Sequence, residues 1–213
     1  MRFWAHAVAV CAAPLFLAGC ATVSREQCEA GDWPAIGQTH ALQGYPASRL
    51  QKVVEDCGRH SIAVDTDAYM QGWRMGVRAY CTPRRGFEDG RGGKRPSFSC
   101  PADLAPDYDD ARQLGSRLKD ADDRVGFQES DLDTAQREID RLSDSLAALD
   151  CTQKTKAERF SCRAERADLR DRLSSARYGM DSARWSLREA RRERDAVFEE
   201  VTAAYARRFS VRP

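Results

Sequence analysis

Residues 107–150 read DYDDARQLGSRLKDADDRVGFQESDLDTAQREIDRLSDSLAALD, and this stretch decides the fold. Apolar or small residues recur at Leu114, Leu118, Ala121, Val125, Leu132, Ala135, Ile139, Leu142, Leu146 and Leu149. The steps alternate four and three, with Gln128 in the one gap. Such alternation is the seam of a coiled-coil helix. Residues 157–208 repeat it at Leu169, Leu173, Ala176, Met180, Ala183, Leu187, Ala190, Val197, Val201 and Ala204, with Arg194 in the remaining slot. No proline falls between Asp107 and Arg208. Two long helices, about 107–150 and 157–208, are expected.

Cys151 and Cys162 flank the polar bend CTQKTKAERFSC between them. Antiparallel helices joined there pair residues whose numbers sum to about 315, which sets Ile139 against Ala176, Ala135 against Met180, Leu132 against Ala183 and Val125 against Ala190. Large meets small in each layer, as interdigitation needs. Leu104 to Asp150 carries thirteen acidic and six basic residues, while Cys151 to Pro213 carries ten acidic and sixteen basic. The two halves attract each other and each repels its own copy, which favours a hairpin over a parallel homodimer. At ~1.5 Å per residue such helices carry the bend about 60 Å from their base. The expected fold is mainly α: a small disulfide-bonded helical domain followed by a long antiparallel two-helix coiled-coil hairpin over 102–213.

The N-terminus reads as an address. Arg2 precedes the apolar run AHAVAVCAAPLFLAG, which is too short to span a bilayer comfortably and has the layout of a signal peptide over residues 1–19. It ends in Leu17-Ala18-Gly19-Cys20, which resembles the bacterial lipobox. The resemblance implies diacylglyceryl modification of the Cys20 thiol, cleavage before Cys20 and acylation of the new amine, palmitate being an expected chain. Buried acyl chains contribute ~0.8 kcal/mol per methylene, so several chains anchor a protein stably. Ala21 follows rather than aspartate. By analogy with enterobacterial sorting this points to the inner leaflet of the outer membrane, facing the periplasm. Residues 20–27 then serve as a lipid-anchored linker.

From Cys20 onward the chain holds thirty-three basic and thirty-three acidic residues, so no bulk charge points to nucleic acid. With Cys11 in the signal and Cys20 lipidated, six cysteines remain: Cys28, Cys57, Cys81, Cys100, Cys151 and Cys162. An even count in an oxidising compartment reads as three disulfides. Six cysteines allow fifteen pairings. The bend suggests Cys151 with Cys162. Cys28–Cys57 and Cys81–Cys100 are expected because each pair brackets one element. The paired CxxC spacings typical of zinc sites are absent.

Residues 28–101 are rich in glycine and aromatic residues and lack heptads. Pro46 to Cys57 reads as a short helix with Leu50, Val53 and Val54 inward and Gly58 as its stop. Asp65 or Asp67 caps a second helix to about Tyr80, with Tyr69, Gly72, Trp73, Gly76, Val77 and Tyr80 on one stripe. Gly72 and Gly76 leave a flat strip for a neighbouring backbone. Thr82 to Ser99, TPRRGFEDGRGGKRPSFS, reads as a loop. Within it Arg84, Arg85, Arg91, Lys94 and Arg95 surround glycines and form a candidate anion-binding loop, lipid phosphates or lipopolysaccharide being the candidate ligands.

The run GDWPAIGQTHALQG, then Cys57, then DAYMQGWRMGVRAYCTPRRGFEDGRGG and the final FSCP resemble a family of bacterial lipoproteins known as domain of unknown function 2799. Trp33, Gly37, Gly44, Cys57, Tyr69, Gly72, Gly76, Tyr80, Cys81, Gly86, Gly90, Gly93, Cys100 and Pro101 carry the likeness, over roughly a third of the chain. His40-Ala41 stands where that family usually has aspartate–glycine, and Phe98 stands near a usual tyrosine. The resemblance implies an envelope lipoprotein and no established activity.

No GxSxG, P-loop or HExxH motif is present. His40 and His60 are the only histidines after Cys20, which makes a Ser–His–Asp triad improbable. No cofactor, metal or reaction is expected. Tyr178 and Trp185 lie seven apart and off the seam, a candidate partner surface, while Phe198, Tyr205 and Phe209 are expected to pack on the 28–101 domain at the base. The reading is a non-enzymatic scaffold or adaptor that meets an envelope protein partner through its hairpin. The alternative is an envelope ligand-binding module, for cell wall or lipid head groups, in which the hairpin only spaces or oligomerises.

Overall fold

Ser24 starts the helical part of the chain. Its Oγ accepts from the Gln27 backbone N–H at 3.2 Å while Gln27 Oε1 accepts from the Ser24 N–H at 2.8 Å. This reciprocal capping box sets α1, Arg25–Ala30. Gly31 ends α1 at φ 65°. Asp32 caps α2, Trp33–Leu42, through the Ala35 N–H, with Pro34 in the first turn. α3 is Arg49–Gly58 and α4 is Thr66–Tyr80, where Asp65 Oδ1 accepts from the Ala68 N–H at 2.9 Å. α5 is Pro83–Arg91, α6 is Ala105–Ala148 and α7 is Lys156–Phe209. The computed structural model describes residues 22–152 and 155–211, and every element in them is helical. The stretch read as a signal peptide, 1–19, and Cys20, read as the lipidation site, lie outside the described residues.

The chain forms two compact units that divide between Gly76 and Val77, inside α4, where composition placed the boundary after Pro101. In the first unit Val23, Cys28, Trp33, Ile36, Val53, Cys57 and Tyr69 form the core. The Cys28–Cys57 disulfide, with Cα atoms 5.5 Å apart, ties α1 to α3. From Thr22 onward the segment read as linker is part of this unit. The Thr22 N–H donates to Asp56 at 2.6 Å and Val23 is buried. α2 and α4 meet on glycine. A Cβ on Gly37 would lie 2.1 Å from the Tyr69 carbonyl oxygen, and one on Gly76 would lie 2.5 Å from that of Gln38. The flat strip read at Gly72 and Gly76 is where the other backbone arrives. Val54, read as inward, is 42% exposed. Val53, Asp56 and Cys57 already fill the narrow buried stripe of α3.

In the second unit the first half of the segment read as a loop is α5. Thr82 Oγ1 accepts from the Arg85 N–H and Pro83 occupies the first turn, so both ordinary start signals are present. Gly86 and Gly90 do not break this helix but seat it. A Cβ there would lie 2.3 Å from the Tyr108 and 2.1 Å from the Arg112 carbonyl oxygen, and Gly115 on α6 approaches the Phe87 carbonyl in the same way. Contact on both sides offsets the helix-propensity cost of glycine, about 1 kcal/mol each. Cys81–Cys100 closes the following segment, with Cα atoms 5.8 Å apart.

α6 and α7 lie side by side with opposed directions. Cross-helix ion pairs join Arg117 to Glu200 at 2.8 Å, Arg124 to Glu193 at 2.9 Å and Arg191 to Glu129 at 2.8 Å. Arg208 pairs with Asp107 at the base. Near the bend Ile139, Leu142, Leu169 and Leu173 form a buried cluster with Leu146, Leu149, Ala176 and Met180 against it. Cys151–Cys162 closes the tip, with Cα atoms 5.8 Å apart. Thr155 and Glu158 form the capping box that starts α7. At the base Tyr205 stacks edge-on to Phe87 of α5 at 5.3 Å and against Phe209 at 4.7 Å, while Phe198 stays 47% exposed.

Candidate functional site

Two buried polar clusters stand out. In the second unit Asp89 of α5 is 2% exposed. Its Oδ2 accepts from the Tyr80 hydroxyl at 2.6 Å and the Tyr108 hydroxyl at 2.7 Å, and the Arg85 guanidinium lies 3.3 Å from Oδ1. A carboxylate this deep needs those partners. Burial raises both phenols above the ordinary tyrosine range, and the bond to Asp89 raises them further. Both therefore stay protonated donors at neutral pH. The cluster fixes α4, α5 and α6 to one another.

In the first unit His40 of α2 is buried, its Nδ1 2.8 Å from the Tyr69 hydroxyl. Burial lowers the imidazole, with the Arg49 charge acting the same way, and burial pushes the Tyr69 phenol up to about 12. His40 is thus a neutral core histidine. Its neighbour Ala41 is fully buried, its Cβ against Gly76.

The cations read as one anion loop go separate ways. Arg84 pairs with Glu88 at 3.0 Å, Arg85 with Asp89, and Arg91 with Asp122 at 3.1 Å. Lys94 and Arg95 are exposed beyond the end of α5. Helical geometry turns Arg84, Arg85 and Arg91 toward carboxylates one turn away or on α6. The six cysteines pair in sequence order as expected. Among the described residues no group of three or more His, Cys, Asp or Glu side chains is arranged to hold a metal ion. No helix among them is long and apolar enough to cross a membrane.

Tyr178 is 80% exposed and Trp185 58% exposed on α7, and Phe127 on α6 is 63% exposed. Trp185 and Phe127 line one cavity of about 430 Å³ along the α6–α7 contact, floored by Gln128, Ser186 and Ala190. The sequence pointed to Tyr178 and Trp185 but passed over Phe127. Its signal was its place beside Gln128, the one non-apolar slot in the α6 seam.

The class defined is a disulfide-tied helical protein with glycine-mediated helix crossings and two long antiparallel helices. Residues 32–117 match the family described as Protein of unknown function (DUF2799), which spans α2 to the first quarter of α6. No curated protein and no solved structure matches the chain.

Proposed function

We propose that this chain is a non-enzymatic envelope lipoprotein, anchored through Cys20 in the outer membrane and facing the periplasm, whose hairpin supercoils as an antiparallel coiled coil and docks a partner protein. The observation that carries the reading is the groove between Phe127 and Trp185. There the seam is filled by Gln128 and Ala190, so two large exposed rings flank a level the hairpin does not fill itself. The occupant that fits is one amphipathic helix. A groove running along two helices accepts a third by the same knobs-into-holes packing, anchored every third or fourth residue. The rim charges are already matched, Arg124 with Glu193, Lys119 with Asp123 and Arg192 with Glu189. The partner therefore supplies apolar residues rather than countercharge. Tyr178, one heptad toward the tip, extends the strip by ~10 Å.

Anchoring is supported by Leu17-Ala18-Gly19-Cys20. Two experiments test the parts separately. Cys20→Ser is expected to release the protein from the membrane fraction and end its acylation; continued membrane residence with acylation refutes the anchor. Trp185→Ala with Phe127→Ala is expected to abolish the partner complex while the melting temperature shifts by less than about 4 °C, the usual scale for exposed positions. A collapse in stability would show the rings to be core.

A further inference from the structure

A second cavity, of about 400 Å³, lies between the segment after α5 and the first turns of α6, within the second unit. We infer that it binds a phosphoryl group, held by Arg112 and Arg95 with the hydroxyls of Ser97 and Ser99. The inference is separate from the hairpin reading and rests on other residues.

Arg112 carries the argument. Its side chain is 18% exposed, yet its nearest carboxylate, Asp109 Oδ1, stands 3.6 Å from Nε, beyond hydrogen-bonding distance. That Nε is buried and meets no acceptor among the described residues. A guanidinium that lines a cavity without a hydrogen-bonded carboxylate suits an oxyanion, because its planar fork matches phosphate oxygens in pairs. Asp109 points 55% to solvent and offsets only part of the charge. Arg95 lines the same cavity and makes no ion pair among the described residues, unlike Arg84, Arg85 and Arg91. Two cations and one acid leave the lining net positive.

The wall is rigid before any ligand arrives. Cys100 is bonded to Cys81, and the Phe98 ring meets the Tyr80 ring edge-on at 5.4 Å. Tyr80 is in turn held by Asp89. A pre-formed wall lowers the ordering cost of binding. The volume falls in the range of small-ligand sites, about 300–1,000 Å³, and exceeds a bare phosphate, so a phosphorylated headgroup or small phosphate ester fits.

The test uses the full chain and NMR, reading the Arg112 Nε–H and the backbone amides of 95–100 during titration with inorganic phosphate. A saturable shift at these groups is expected. Arg112→Gln should weaken it about ten-fold and Arg95→Gln several-fold, as for loss of one charge-assisted bond. Arg170→Gln on exposed α7 should leave it unchanged. In parallel, binding to phosphatidylglycerol vesicles in excess of phosphatidylcholine vesicles, lost in Arg112→Gln, assigns the phosphoryl group to a lipid; saturable phosphate binding without that excess assigns it to a soluble ester. Arg95 is exposed, so its variant keeps the test valid even if Arg112→Gln misfolds. Absence of a saturable shift, or equal weakening by Arg170→Gln, overturns the inference.

Discussion

A Cβ added to Gly72 would lie 1.9 Å from the carbonyl oxygen of Pro34, so α4 and α2 touch backbone to backbone at that point. Neither side can yield, because the obstacle is main chain on both. Gly72→Ala is therefore expected to destabilise the first unit by about 3 kcal/mol or more, at or above the usual cost of overpacking. Gly126 on α6 is the control, since a Cβ there meets nothing within 4 Å. Gly126→Ala should stabilise by about 1 kcal/mol through helix propensity. Urea unfolding of the two variants checks both signs, and a shift in the same direction for both would contradict the packing described.

The His40–Tyr69 pair makes stability depend on pH at both ends. Burial holds His40 below its ordinary 6.5. The folded state thus favours the neutral ring, and this stabilisation is complete above pH 6.5 and lost as pH falls through the folded value. Tyr69 is raised from 10.0 to about 12 by burial. Its stabilisation is complete below pH 10 and is lost as pH rises through about 12. His40→Gln, which keeps a hydrogen-bonding partner for Tyr69, should flatten the acid limb between pH 7 and pH 5. Urea midpoints at the two pH values measure it; an unchanged acid limb would show that other groups set it.

The tip disulfide should act locally. Cys151 and Cys162 are eleven residues apart. Closing so short a loop contributes about 3 kcal/mol in the chain-entropy model. Reduction is expected to speed amide exchange around Leu142, Leu149 and Leu169 while Ala111, Leu118 and Tyr205 stay protected. Equal loss of protection at both ends would mean that the disulfide supports the whole of α6 and α7.

Much of this was legible because long periodic patterns average over many residues. The bounds of α6 and α7 fall within a few residues of those read from the 3.5-residue period. The cysteine pairs were readable because each brackets one element. α5 was not, because three of its nine residues or its cap, Gly86, Gly90 and Gly92, are also what a loop would contain. Its glycines make sense only once Tyr108 and Arg112 are known to lie against them, a long-range fact that local propensity does not carry. Asp89 was hidden for the same reason, since its partners Tyr80 and Tyr108 are nine and nineteen positions away. α1 and α2 were missed although Ser24 with Gln27 and Asp32 with Pro34 are ordinary start signals. α1 is only six residues long, and the buried stripe of α2 includes Gly37 and His40, which carry no apolar signal.

The docking claim is tested most directly by a photoreactive phenylalanine analogue at Ser186, on the floor of the groove between Phe127 and Trp185, illuminated in intact cells. The account predicts one discrete protein adduct whose crosslinked peptide is an amphipathic helical segment. That adduct should be lost when Trp185→Ala is added and absent when the analogue sits at exposed Asp168. Adducts of equal yield at Ser186 and Asp168, or an adduct indifferent to Trp185→Ala, would contradict it.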